Sequence, residues 1–282
     1  MKIIDSHIHF SNIASLKEFA EAESDVDYSK AGYEKEALDN NVVHSICMGI
    51  SEPSPHAFPD TITETPMHAT LDERMPPDVS LCLGINPHTL DDESIKRMEG
   101  LIKAGRNIVG IKIFAGYYHF DVCDAIYTPA YRLAEKYDLT VAVHSGDTFS
   151  DRGLLIYSQP LSIDRLALTY RDTRIVICHL GSPWILDACE VTFKNKNVYL
   201  DLSGLLGGNT AYLDYMTSKQ LFIDRIKGAL IFLDNYKKVM YGTDWPLAPM
   251  AAYIDFCKLL VPAETYEKVF YSNAIDAYKL KL

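Results

Sequence analysis

Short runs rich in β-branched and apolar residues recur along the chain, each followed by a segment whose apolar positions are spaced for a helix. The runs lie at residues 2–7, 42–50, 79–85, 108–114, 139–144, 174–179, 197–203 and 238–243, and each predicts a strand. Segments 91–105, 128–137 and 182–195 predict helices. Asp91 or Asp92, Thr128 and Ser182 stand where N-caps belong, and Pro129 and Pro183 suit a first turn. Several strands are apolar on both faces, so each face needs cover: helices on one side and a barrel interior on the other. Eight such units predict an α/β chain folded as a (β/α)8 TIM barrel. A doubly wound open sheet is the alternative, but no GxGxxG follows any of these strands. Residues 51–78 break the rhythm with six of the thirteen prolines and read as an excursion over the barrel mouth.

Length and composition agree with a barrel. The chain has 282 residues, of which 48% are hydrophobic, enough for a full core. Its formal net charge of −11, from 27 basic against 38 acidic residues, disfavours a polynucleotide as partner. The six cysteines form no CxxC pair, and Cys47, Cys82 and Cys178 sit inside apolar strands, as free thiols in a reducing compartment would. No signal-peptide pattern and no membrane-length apolar run is present. A cytoplasmic protein with a small-molecule substrate is expected, without membrane or nucleic-acid partners and with homo-oligomerisation open.

Candidate chemistry falls at the strand ends. His7 and His9 share one face at the end of the first strand, in DSHIH, with Asp5 on the same face. Lys112 is near the end of the fourth strand. His144 ends the fifth, His179 the sixth, and Asp244 the eighth, in YGTDWP. In a barrel all carboxyl ends converge on one mouth. Buried imidazoles and carboxylates cost free energy unless paired or ligated, so this convergence predicts a divalent metal site.

These residues in this order resemble the amidohydrolase superfamily, most closely its amidohydrolase-related branch of metal-dependent hydrolases and decarboxylases. The resemblance covers essentially the whole chain. It implies a TIM barrel, a bound divalent metal and a metal-activated water. Zinc is the expected metal and manganese the alternative. Many relatives add a β-sandwich built from both chain ends; here the first strand starts at residue 2, and one barrel domain over 1–282 is expected.

The resemblance leaves two arrangements open. In the first, which is favoured, His7, His9, His144 and Asp244 hold one ion, His179 stays outside as proton shuttle or oxyanion stabiliser, and Asp244 takes a proton from water. In the second, Lys112 is carboxylated and bridges two ions, as in relatives such as dihydroorotase. With one metal, Lys112 would bind an anionic substrate group. Tyr117, Tyr118, His119 and His88 are candidate pocket residues. Ser145, Asp147, Asp201 and Ser203 are candidates for orienting ligands, and Trp245 for a packing anchor that places Asp244.

The leading expectation is a hydrolase of an amide, lactam or lactone. The alternative is a non-oxidative decarboxylase or hydratase on the same site, for which a basic residue facing a carboxylate would speak. Arg152 and Arg165 are the nearby arginines. An idle metal-binding barrel would have lost a ligand, and none is missing. The loops after the seventh and eighth strands lack the charged partner of a phosphate-binding barrel.

Overall fold

The computed structural model describes residues 1–50, 75–105 and 107–282. Eight strands follow in chain order: β1 (Ile3–Ile8), β2 (Val42–Met48), β3 (Val79–Ile85), β4 (Ile108–Ile113), β5 (Thr140–Val143), β6 (Ile175–Ile177), β7 (Val198–Asp201) and β8 (Val239–Met240). All neighbours pair in parallel, in the order β1 to β8. The ring closes through backbone bonds from Ser6 to Tyr241, from Asp244 to His7 and from His9 to Trp245. This is the TIM barrel, and sequential closed order excludes the open doubly wound sheet. Every described strand belongs to this one sheet, so no added β-sandwich is present among the described residues.

The helices are α1 (Ala14–Phe19), α2 (Lys30–Asp39), α3 (Asp92–Lys103), α4 (Thr128–Tyr137), α5 (Leu161–Thr169), α6 (Ile185–Lys194), α7 (Thr210–Thr217), α8 (Gln220–Leu233), α9 (Met250–Leu260) and α10 (Asn273–Tyr278). None is long and apolar enough to cross a membrane. Strand alternation splits the core in two. Ile4, Ile46, Cys82, Val176 and Met240 point into the barrel, and α10 closes its lower end with Ala277 and Tyr278. Thr140 Oγ1 and Arg174 Nε latch that helix by donating to the Ala277 carbonyl at 2.6 and 2.8 Å. The outward residues, such as Ile3, Leu83, Ile111 and Val143, pack under the helices.

Several element ends differ from expectation. Asp91 caps α3 as foreseen, in a reciprocal capping box with Ser94. Thr128 instead opens α4 from within, and α6 starts at Ile185 without the Ser182 cap. The sixth strand stops at Ile177 because His179 and Leu180 take left-handed backbone, at φ 59° and 49°. The eighth shortens to two residues, since from Tyr241 onward the backbone bonds to Val269 and the β1 end. The expected excursion at 51–78 lies, for residues 51–74, outside the described residues.

Candidate active site

The sharpest feature of the barrel mouth is a meeting of lone pairs. His7 Nδ1 lies 2.9 Å from Asp201 Oδ2, and His9 Nδ1 lies 3.2 Å from the Met48 carbonyl. With those acceptors taking the Nδ1 proton of each neutral ring, both Nε2 atoms are bare. They converge on Asp244 Oδ1, at 3.4 Å from His7 and 3.1 Å from His9. His7 Nε2 and Asp244 Oδ1 are fully buried, and neither has a hydrogen-bond partner among the described residues. Unprotonated nitrogens facing a carboxylate oxygen repel unless a cation lies between them. Nitrogen and oxygen donors of this kind suit zinc, manganese or iron(II). The residues therefore fit a divalent metal.

Protonation states agree. Burial, and then the Lys112 ammonium, push the His7 pKa down to about 3. Burial likewise lowers His144 and His179, with Lys112 adding to it in both. For Asp244 burial works upward, but attraction to any proton that His7, His179 or His9 takes up outweighs it, so the carboxyl stays ionised well below its ordinary range. Neutral imidazoles around an ionised carboxylate are the form that binds a cation.

Local backbone places these groups. Asp244 sits at φ 66°, a left-handed conformation held by its N–H on the His7 carbonyl and by Thr243, whose N–H and hydroxyl both donate to Asp5. Burial raises Asp5 to about 7 against these bonds. Trp245 is the anchor expected for Asp244: its ring packs on Tyr28 and Tyr33, and its Nε1 donates to Glu36 Oε1 at 3.1 Å. Asp201 is a hub. It accepts from the His179 N–H at 2.8 Å and from Ser203 while holding His7. Such a carboxylate fixes the tautomer and aim of a ligand imidazole.

The other predicted residues divide. His144 donates from Nε2 to the Asp147 carbonyl at 2.7 Å, which leaves Nδ1 as its free donor atom. It stands across the cavity, its ring 4.7 Å from that of His179, and is in neither tight donor cluster; those are His7–His9–Asp244 and His7–His179–Asp201. His179 Nδ1 is 2.9 Å from Ser203 Oγ and 3.7 Å from Asp244 Oδ2. Lys112 is 1% exposed, with Nζ 3.0 Å from Cys178 Sγ and over the Phe114 ring. Lys112, Tyr117, His144, His179 and Asp244 all line one cavity of about 400 Å³.

Tyr118 and His88 pack on each other and neither lines that cavity, and His119 is exposed and stacked on Tyr157. Ser145 closes its loop on Ser158. Arg165 pairs with Asp121, and neither it nor Arg152 lines the cavity. Sequence reasoning missed Glu36, a polar position on an unremarkable helix segment, and Gly204. A Cβ at Gly204 would lie 2.6 Å from Asp244 Oδ2 and 2.7 Å from His179 Nδ1, so only glycine admits that approach, and φ +60° suits it as well.

The sequence pattern of the Amidohydrolase family matches residues 4–280. The chain belongs to that family. No curated protein matches this amidohydrolase chain in sequence. Among solved structures, an uncharacterized TIM-barrel protein from Bordetella bronchiseptica is 17% identical, with 98% of each chain covered and a TM-score of 0.68. The 2,6-dihydroxybenzoate decarboxylase from Rhizobium is 11% identical over 99% of each chain, at 0.64. The 5-carboxyvanillate decarboxylase from Novosphingobium aromaticivorans, complexed with manganese and 4-hydroxy-3-methoxy-5-nitrobenzoic acid, is 13% identical over 99% of this chain and 96% of its own, at 0.60. At these identities the likeness is one of fold.

Proposed function

We propose that this amidohydrolase-family protein is a metal-dependent, non-oxidative decarboxylase of a small carboxylic acid. Lys112 carries the reading. A buried ammonium on the cavity wall, with a thiol and a ring as its contacts and no ion pair among the described residues, calls for an anionic group from the substrate. The two decarboxylases of like fold support the same choice over the hydrolase expected from the sequence.

His7, His9 and Asp244 are the proposed metal ligands, with His144 as a further donor from across the cavity. A divalent cation there, one ion in this reading, would polarise the substrate's oxygens and offset charge built up as the bond breaks. Manganese has the precedent of a neighbour and zinc suits the same donors. Lys112 binds the carboxylate, while Phe114 and Tyr117 present flat faces to the rest of the molecule. The carbon–carbon bond to the carboxyl group breaks, CO2 leaves, and the electron pair left on carbon takes a proton. His179 is the proposed donor. Neutral at rest, its ring takes up a solvent proton and passes it to carbon; burial makes the brief imidazolium a stronger acid than usual, and Asp244 beside it stabilises that cation while it lasts.

Hydrolysis of an amide, lactam or lactone is the second reading, favoured by the family's description and by Asp244 as an ionised carboxylate on the cavity wall. The test is the enzyme loaded with manganese or zinc, assayed in parallel for CO2 release from hydroxylated aromatic and other small carboxylic acids and for opening of lactones and amides. Release of CO2 supports the proposal. Turnover confined to lactones or amides overturns it in favour of hydrolysis.

A further inference from the structure

The first strand is followed by one helix more than a barrel needs. The helix after a barrel strand packs outside the sheet, and α2 does so, with Tyr33 and Ala37 in the outer core layer. The short helix α1, between β1 and α2, lies over the mouth instead. Ile13 and Leu16 pack in one buried cluster with Ile50 beyond β2 and with Phe114 and Tyr117 beyond β4. Lys17 and Glu18 beside them are exposed. Two bonds tie the far end of this segment to the metal-facing side of the barrel. Ser24 Oγ donates to the Pro246 carbonyl and the Tyr28 hydroxyl to the His9 carbonyl, both at 2.7 Å.

The other end reaches across. Phe19 of α1 meets Phe149, from the loop after β5, edge to face with ring centroids 5.6 Å apart. β1 and β5 stand four places apart in a ring of eight, so this contact spans the mouth. Both residues are held in place. Phe19 Cζ would lie 3.3 Å from a Cβ at Gly207, beyond β7, so the ring is seated on bare backbone. The Phe149 N–H donates to the Tyr117 hydroxyl at 2.7 Å, and the Tyr117 ring stands 4.8 Å from that of His144. Leu16 and Phe149 line the same cavity as Lys112 and Asp244.

We propose that α1 roofs the active-site cavity and that Leu16, Phe19 and Phe149 set the length of acid the site accepts. The proposal rests on the reading of Lys112 as the carboxylate-binding group. Lys112 belongs to strand β4, whereas Leu16 and Phe149 stand on segments above the strand ends, so a bound acid points its remote end at the roof. Space is the argument for a compact acid. The cavity holds about 400 Å³, near the lower end of the ~300–1,000 Å³ usual for small-molecule sites. A void of roughly 150 Å³ already takes one benzene ring. One substituted ring therefore fills the space between the metal ligands and the roof, and a second ring in line with the carboxylate runs into Phe149 and Phe19. The roof is apolar at that end and rejects by shape.

The experiment is isothermal titration calorimetry of the full, manganese-loaded chain with benzoate and with biphenyl-4-carboxylate, two probes that share a carboxylate and differ by one ring. Circular dichroism confirms the fold of each variant. Wild type is expected to bind benzoate at least about tenfold more tightly, and Phe19→Ala and Phe149→Ala should each shrink that ratio by roughly tenfold, as removal of a pocket wall does. Lys17→Ala, on the exposed side of α1, should leave the ratio as it is. An unchanged ratio in both phenylalanine variants overturns the proposal, and so does an equal shift in Lys17→Ala. Binding of neither acid to any of these proteins overturns it together with the carboxylate reading. Lys112→Met separates the two: benzoate affinity unchanged there, with the size ratio intact, rejects Lys112 as the carboxylate site and supports the roof.

Discussion

The two walls of the cavity are built from the same side chains and held differently. On the β1–β8 side, His7 and His9 each have one nitrogen tied back to Asp201 or Met48 and the other aimed at Asp244 Oδ1. On the β5–β6 side, His144 hangs from a main-chain carbonyl, and His179 leans on Ser203, 3.7 Å from the other oxygen of Asp244. The first wall aims lone pairs at one point. The second keeps an imidazole within reach of a carboxylate without joining that point. Anchoring therefore distinguishes the walls where composition does not: under the proposed function the first would hold the cation, with His144 reaching it from across the cavity, and the second would move the proton through His179.

The harshest challenge to this division is removal of a converging donor. His7→Ala or Asp244→Ala is expected to drop bound metal well below one equivalent, measured by elemental analysis of dialysed protein, and to abolish turnover with the barrel still folded. Full occupancy in both variants would end the ligand assignment. His179→Asn should instead keep about one equivalent and lose roughly 10²–10⁴-fold in kcat, the usual worth of a general acid or base. If its metal content falls as far as that of His7→Ala, the two walls are one site.

Asp201→Asn probes the anchoring itself. It should loosen metal roughly 10–100-fold by freeing the His7 ring, read from competition with a chelating dye. Lys112→Met is expected to retain metal and raise KM for a carboxylate substrate by about tenfold or more, the loss of a charge-assisted contact of some 1.5–3 kcal/mol. A carbamate on Lys112 joining two ions in a crystal structure would replace this role with a bridging one.

The mildest test is pH. His7 is depressed to about 3 in the fold, and His144 and His179 are lowered too, so between their ordinary value of 6.5 and the folded values the unfolded chain binds more protons. Stability of the metal-free protein is full above pH 6.5 and is lost as pH falls toward 3. Asp5, raised to about 7, works the other way between pH 7 and 4 and blunts the loss. A melting temperature that climbs as pH drops from 6.5 to 4 would contradict neutral buried imidazoles.

The barrel was legible because its signal is repeated: eight apolar runs, each ending where polar chemistry begins. His7 and His9 were legible because a strand puts i and i+2 on one face. The backbone at His179 and Asp244 was not, since left-handed conformations at histidine and aspartate are imposed by neighbours far along the chain, such as the His7 carbonyl. Glu36 was invisible for the same reason, because its partner Trp245 is 209 positions away. Gly204 lies in a glycine-containing stretch, and only its distance to Asp244 and His179 distinguishes it from an ordinary turn.

Among the described residues, the helix that stoppers the lower end of the barrel leaves the cavity open toward the mouth. Ala277, latched by Thr140 and Arg174, and Tyr278 beside it fill the described interior beneath the cavity and leave no rear exit there. Reactant and product must then take turns at the same threshold. Whatever leaves does so along the path the next molecule needs, and a product that lingers competes directly with its own precursor.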